Sequence, residues 1–247
     1  MNLEVLFTPA EYAALASRDL GGTVCVVFDV LRATSTFATA LHNDAKEIIP
    51  VAEISEALEI KKSRPEVLLG GERDGVKISA GGIDFDLGNS PREYTREKVG
   101  GKTIVSTTTN GTRALRACAG AKIVLAASFL NLGATAEFLR RKKFADILIV
   151  CAGTGENAAL EDMLAAGALC EMLSGGFATM TNSVSVENAR RAYAQAKSNL
   201  TGAMRDSENA RRLLANPDLR GDVALCLQRD TCPIVASMET DGKICAL

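Results

Sequence analysis

Six short and almost unbroken apolar runs, rich in β-branched residues, lie at 23–28, 47–51, 67–70, 102–106, 122–127 and 146–151, with helical patterns between them. A strand that is apolar at nearly every position must be covered on both faces, so these runs predict buried strands of an α/β layer fold. A further strand is expected at 233–238. The intervening patterns predict helices at 35–42, 54–63, 112–117, 132–142 and 161–173, and a long polar one at about 186–214. In the second of these, Ile54, Ala57, Leu58 and Lys61 recur at helical spacing. In the last, Glu187, Arg190, Arg191, Lys197, Arg205, Asp206 and Glu208 read as a solvated face. A chain of 247 residues can bury a large core. No repeat or linker divides it, so residues 1–247 are expected to form one domain, or two closely joined α/β halves.

A net charge of -2 gives no electrostatic footprint for nucleic acid or an anionic membrane, and the absence of Trp leaves few stacking platforms. Seven cysteines, none in a C-x-x-C pair and several inside apolar runs, suggest free thiols in a reducing compartment. Met1-Asn2-Leu3-Glu4 lacks a secretory pattern and no apolar run reaches spanning length, so a cytoplasmic location is expected. The single histidine, His42, falls near an expected helix end. Serine triads and multi-histidine zinc sites are thereby disfavoured. The chemistry is expected to rest on carboxylates, hydroxyls, amides and arginine.

Three strand ends carry polar residues suited to an anion, and ligands of α/β sheets gather beyond such ends. After the first run come Asp29, Arg32, Thr34, Ser35 and Thr36. Asp29 suits a divalent cation and Arg32 a phosphate or sulfonate, although Asp29 capping a turn and Thr34 capping a helix explain the same pattern. After the fourth come Ser106, Thr107, Thr108, Thr109, Asn110 and Gly111, a turn of small donors that either cradles an oxyanion or simply starts a helix. After the sixth, Cys151 leads through Gly153 and Gly155 to Glu161 and Asp162, which either complement a helix dipole or supply oxygen ligands to a hard cation. The stretch 70–91, with glycines at 70, 71, 75, 81, 82 and 88, is expected to be a long functional loop. It carries Glu72 and Asp86 as oxygen ligands, Arg73 as a second cation, and Asn89 with Ser90.

Asp29-Val30-Leu31-Arg32-Ala33-Thr34, Gly70-Gly71-Glu72-Arg73, 85–91, 107–112, the step from Cys151 to Glu161-Asp162, and the tail 222–230 occur in this order. Together they resemble the signature blocks of the 2-phosphosulfolactate phosphatases. The resemblance implies a three-layer α/β/α fold with a mostly parallel or mixed sheet. It also implies magnesium-dependent hydrolysis of 2-phospho-3-sulfolactate, a step of coenzyme M biosynthesis. The site expected from it has Asp29, Arg32 and Glu72 as catalytic groups. Magnesium ligands are drawn from Asp29, Glu72, Asp86, Glu161 and Asp162, with Asp29 alternatively a covalent nucleophile. The anionic substrate is expected at Arg32, Thr34, Ser35, Arg73, Asn89, Ser90, Thr107, Thr108, Thr109, Asn110 and Gly111. The 78–84 loop is longer and richer in glycine than that pattern, which leaves another small phosphorylated acid as an alternative substrate. A non-catalytic binding protein for anionic metabolites is the rival class, and a homodimer is the base-rate expectation.

Overall fold

In the computed structural model, which describes residues 1–80, 82–174 and 181–247, eleven strands form one mixed sheet. Across it the order is Thr181–Asn182, Asn2–Leu6, Asp146–Cys151, Thr23–Phe28, Ile123–Ala127, Ala236–Met238, Ile244–Ala246, Glu47–Pro50, Thr103–Thr107, Leu68–Arg73 and Val76–Lys77. The first five are mutually parallel. Glu47–Pro50, Thr103–Thr107 and Leu68–Arg73 form a second parallel block. The C-terminal hairpin, Ala236–Met238 with Ile244–Ala246, joins the blocks through three antiparallel pairings, so the second block runs opposite to the first.

The continuous apolar runs are explained by the two faces they fill. Along Thr23–Phe28, Val24, Val26 and Phe28 pack into one core while Cys25 and Val27 pack into another. The same alternation splits Ile147 and Ile149 from Leu148 and Val150, as the period of two in a strand requires. The first core is covered by the helices Leu132–Lys142, Leu160–Ser174 and Val184–Ala196, the second by Ala33–His42 and Gly111–Ala117. A smaller cluster around Leu69, Phe85 and Val105 lies under the helix Ile54–Ser63. The result is helix, sheet and helix in three layers.

Two expectations need correcting. The long polar helix at 186–214 is four pieces: Val184–Ala196, Leu200–Ala203, the 3-10 turn Met204–Asp206, and Glu208–Ala215. Asn199 accepts from Gly202 N and Ser207 accepts from Ala210 N, so two capping side chains restart the helix inside the polar run. The expected loop at 70–91 is largely paired: Leu68–Arg73 extends through Glu72, Val76–Lys77 folds back on it, and Ser79–Ala80 pairs with Ile83–Asp84. Gly81 lies outside the described residues. All seven cysteines are free thiols, six of them buried. Among the described residues no helix is long and apolar enough to cross a membrane.

Candidate active site

Although the two parallel blocks run in opposite directions, their C-terminal ends meet at one cavity of about 260 Å³. Asp29, Arg32, Glu72, Asn89, Thr109 and Asn110 line it, together with the 153–157 loop and the helix Glu208–Ala215.

Asp29 directly follows Thr23–Phe28. Its Oδ1 accepts from Ala33 N at 3.0 Å, while Thr34 Oγ1 bonds both the backbone N and O of Asp29 and Ser35 Oγ donates to Val30 O. Thr34 and Ser35 therefore fasten the turn rather than face the cavity. Asp29 Oδ2 makes no hydrogen bond among the described residues. It lies against Gly111, where an added Cβ would come within 2.6 Å of both Oδ2 and Ala33 Cβ, so only glycine lets the two strand ends close. Burial pushes the Asp29 carboxyl up to about 7, and the nearby Glu72 and Glu161 charges add to the shift against the lowering bond from Ala33 N.

Glu72 is buried at the end of its strand and ties two segments together. Its Oε1 accepts from Thr109 N and Oγ1 at 2.9 and 3.0 Å, and its Oε2 from Gly75 N at 2.7 Å. Gly71 beside it has φ +134, and a Cβ there would fall 2.0 Å from the Thr107 carbonyl oxygen. Asn110 Nδ2 donates to Ala152 O and Gly155 O, each at 3.1 Å, which bridges the blocks and fixes the amide orientation. Asn110 Oδ1 is then a buried oxygen without a partner, as is Asn89 Oδ1. Both residues line the cavity, and buried acceptors without a partner are uncommon.

Arg32 is buried, with Nη1 2.8 Å from Asp222 Oδ2 and Nη2 donating to Gly75 O at 2.9 Å. Asp222, wholly buried, also accepts from Ser90 Oγ and Arg92 Nε, each at 2.7 Å. Ser90 thus serves this hub and not the cavity. Glu161 and Asp162 sit behind the cavity. Asp162 accepts from Val30 N and Gly153 N, and Glu161 from Ser207 Oγ and Asn209 Nδ2. Burial, with the Glu161 and Asp29 charges, drives the Asp162 carboxyl well above its ordinary range.

Several expected contacts lie elsewhere. Arg73 donates to Glu72 O, Ala52 O and Thr107 Oγ1, bracing backbone where the sequence suggested an anion holder. Thr107 Oγ1 in turn donates to Ala52 O, and Thr108 Oγ1 accepts from Thr112 N. Asp86 accepts from Leu69 N and sits 3.6 Å from Lys61 Nζ, away from the other carboxylates. Asp74, Glu208, Asn209 and Arg212 line the cavity without having been anticipated there. The sequence pattern puts Glu208 on a solvated face, whereas the structure puts it at the cavity. No local motif marks these four; only the cap at Ser207, three residues before Ala210, hints that a separate helix begins there.

The groups that could hold a hard cation are all oxygens: the Asp29 and Glu72 carboxylates and the Asn89 and Asn110 amide oxygens. Among the described residues no three of His, Cys, Asp and Glu cluster closely enough to form an all-protein cage. That donor set suits magnesium, which takes one or two carboxylates and completes its shell with water and substrate oxygens. It does not suit zinc, which favours nitrogen and sulfur.

The 2-phosphosulpholactate phosphatase family profile matches residues 10–241. A protein of Caldanaerobacter subterraneus subsp. tengcongensis, named as a probable 2-phosphosulfolactate phosphatase, is 41% identical over 95% of each chain. One of the same name from Thermotoga petrophila is 44% identical over 86% of this chain and 88% of its own. Another from Clostridium perfringens strain 13 is 35% identical over 99% of this chain and 96% of its own. With the match running through every segment that builds the cavity, the chain belongs to the 2-phosphosulfolactate phosphatase family.

Proposed function

We propose that the protein is a magnesium-dependent phosphoric monoester hydrolase that converts 2-phospho-3-sulfolactate and water to 3-sulfolactate and inorganic phosphate. It would act in the cytoplasm, on the route to coenzyme M. The observation that carries the reading is the convergence of Asp29, Glu72 and Asn110, whose Oδ1 has no partner, on one cavity of a chain in this family. Charge supports the cation. The lining includes the acids Asp29, Glu72, Asp74 and Glu208 but only two guanidiniums, and that of Arg32 is already paired with Asp222. A substrate bearing phosphate, sulfonate and carboxylate would be repelled by such a surface alone. Bound magnesium supplies positive charge that offsets the phosphoryl oxygens as the ester bond breaks.

The chain's own residues position and polarise. Asp29 and Glu72, with the amide oxygens of Asn89 and Asn110, would hold the cation at the strand ends. Arg32, fixed by Asp222, donates toward the phosphoryl group from a nearly dry setting where its charge is weakly screened. A second role for Asp29 is favoured by the same open Oδ2. In-line attack would form an Asp29–phosphorus bond as the bond to the sulfolactate oxygen breaks, and water would then hydrolyse the aspartyl phosphate. Acid quenching with radiolabelled substrate separates the roles: label retained on denatured protein supports the covalent one.

The direct test is phosphate release from 2-phospho-3-sulfolactate, 2-phospholactate and p-nitrophenyl phosphate, with magnesium and with EDTA. Release from the first, abolished by EDTA, is expected. Absence of release from all three would favour a binding protein, and preference for another ester would change the substrate.

A further inference from the structure

We propose that Arg212, oriented by Asn209 and by the buried Glu161 behind it, binds the sulfonate of the substrate and sets the preference for it. The inference rests on the phosphatase reading above and adds to it the residue that recognises the group that is not transferred.

The supply of cations decides the matter first. Of the arginines that the motifs offered, Arg73 is committed to two carbonyls and a threonine hydroxyl, and both terminal nitrogens of Arg32 are already held, by Asp222 and by the Gly75 carbonyl. Arg212 lines the cavity, and its one hydrogen bond among the described residues is from Nη2 to the neutral Asn209 Oδ1 at 2.9 Å. It makes no ion pair with the acids that share the cavity, so its charge is available to a ligand.

Its orientation is built and not incidental. Asn209 Nδ2 donates to Thr154 Oγ1 at 2.6 Å and to Glu161 Oε1 at 2.7 Å, which leaves Oδ1 for Arg212. The other Glu161 oxygen accepts from Ser207 Oγ, and Ser207 caps the helix that carries both Asn209 and Arg212. Both oxygens of a carboxylate only 1% exposed are thus spent on setting the first turn of this helix. Arg212 then projects from the same helical face, three residues beyond Asn209. A function for Glu161 follows that needs no metal: it is a positioning residue.

Location selects the sulfonate over the carboxylate. Glu72 is buried and Asp29 half-buried at the strand ends, whereas Arg212 is exposed, beside Gly75. In 2-phospho-3-sulfolactate the phosphate and the carboxylate are both carried on C2, and the sulfonate is one carbon further out. With phosphorus at the strand ends, the sulfonate is the anion that reaches outward. A guanidinium offers its oxygens two parallel donors, a match that an ammonium lacks.

The test measures kcat/KM for 2-phospho-3-sulfolactate and for 2-phospholactate, which has hydrogen in place of the sulfonate, in wild type, Arg212→Gln, Arg212→Lys and Asn209→Ala. Wild type should prefer the sulfonate ester. Arg212→Gln should lower that preference ratio about 10- to 100-fold, chiefly through KM, as loss of a charged hydrogen bond implies. Arg212→Lys should fall between, and Asn209→Ala should lower the ratio by about 2- to 10-fold. Thermal melts of the Arg212 variants check the fold, which an exposed side chain should not govern. An Arg212→Gln enzyme that keeps the wild-type ratio overturns the proposal and leaves the phosphatase reading standing. A wild type that releases phosphate from neither ester overturns the reading itself, and the proposal with it.

Discussion

The two walls of the cavity are held together in opposite ways. In the strand-end wall the turns themselves are shaped by short-range bonds: Thr34 fastens Asp29 from five residues away, and Thr108 and Thr112 hold each other across four. The far wall depends on bonds that span the chain, with Ser90 reaching Asp222 across 132 residues and Arg32 reaching it across 190. The Asp29 carboxylate therefore sits in a turn that its own neighbours shape. The cations and the helix facing it depend in addition on distant segments, as Arg32 does on Asp222 and Asn209 on Glu161. Substitutions in the first wall should alter chemistry more than stability, and in the second the order should reverse.

The sharpest trial of that contrast is Asp29→Asn. We expect kcat/KM to fall by about 10³-fold or more, the scale of losing a group that acts on the transition state. Metal-free Asp29→Asn should at the same time melt no lower than wild type at pH 8, because it removes a buried charge. A variant that melts much lower would break the contrast. On the far wall, Asp222→Ala leaves Arg32 buried without its partner, and urea unfolding should report a loss of about 3–5 kcal/mol. Gly111→Ala lies where the walls meet. The added methyl would crowd Asp29 Oδ2 and Ala33, which should destabilise by about 1–3 kcal/mol and lower activity with it.

The last trial concerns pH. Folded Asp29 titrates near 7 against an ordinary value of 3.8, so between those values the unfolded chain has released a proton that the folded chain retains. The contribution is fully present below about 4, declines as pH rises, and is gone above about 7. Urea midpoints in EDTA, taken as wild type minus Asp29→Asn, should trace that decline. A difference that grows with pH would contradict it.

The same division explains what could be read from the sequence. Thr23–Phe28 and Asp146–Cys151 were legible because burial on both faces leaves no polar position in a strand. Asp29, Glu72, Thr109 and Asn110 were legible because a strand end is a local event that exposes the residues following an apolar run. Arg73 misled because a guanidinium next to a carboxylate reads alike whether it meets a ligand or a backbone carbonyl. Asp86 misled in the same way, since its partner, Leu69 N, comes from a strand 17 residues earlier. Arg212 and Asp222 were opaque, since their partners are chosen by tertiary packing. The opposed directions of the two blocks were also hidden, because the residues that reverse the sheet are the short strands at the C-terminus.

That C-terminal hairpin has a consequence for biosynthesis. Ala236–Met238 and Ile244–Ala246 fill the middle of the sheet, between blocks that are otherwise unpaired with each other. On the ribosome the central seam stays open until the segment 236–246 has cleared the exit tunnel. Removing residues 236–247 would open the sheet at its centre and leave the two blocks joined only through their shared core and bonds such as those of Asn110.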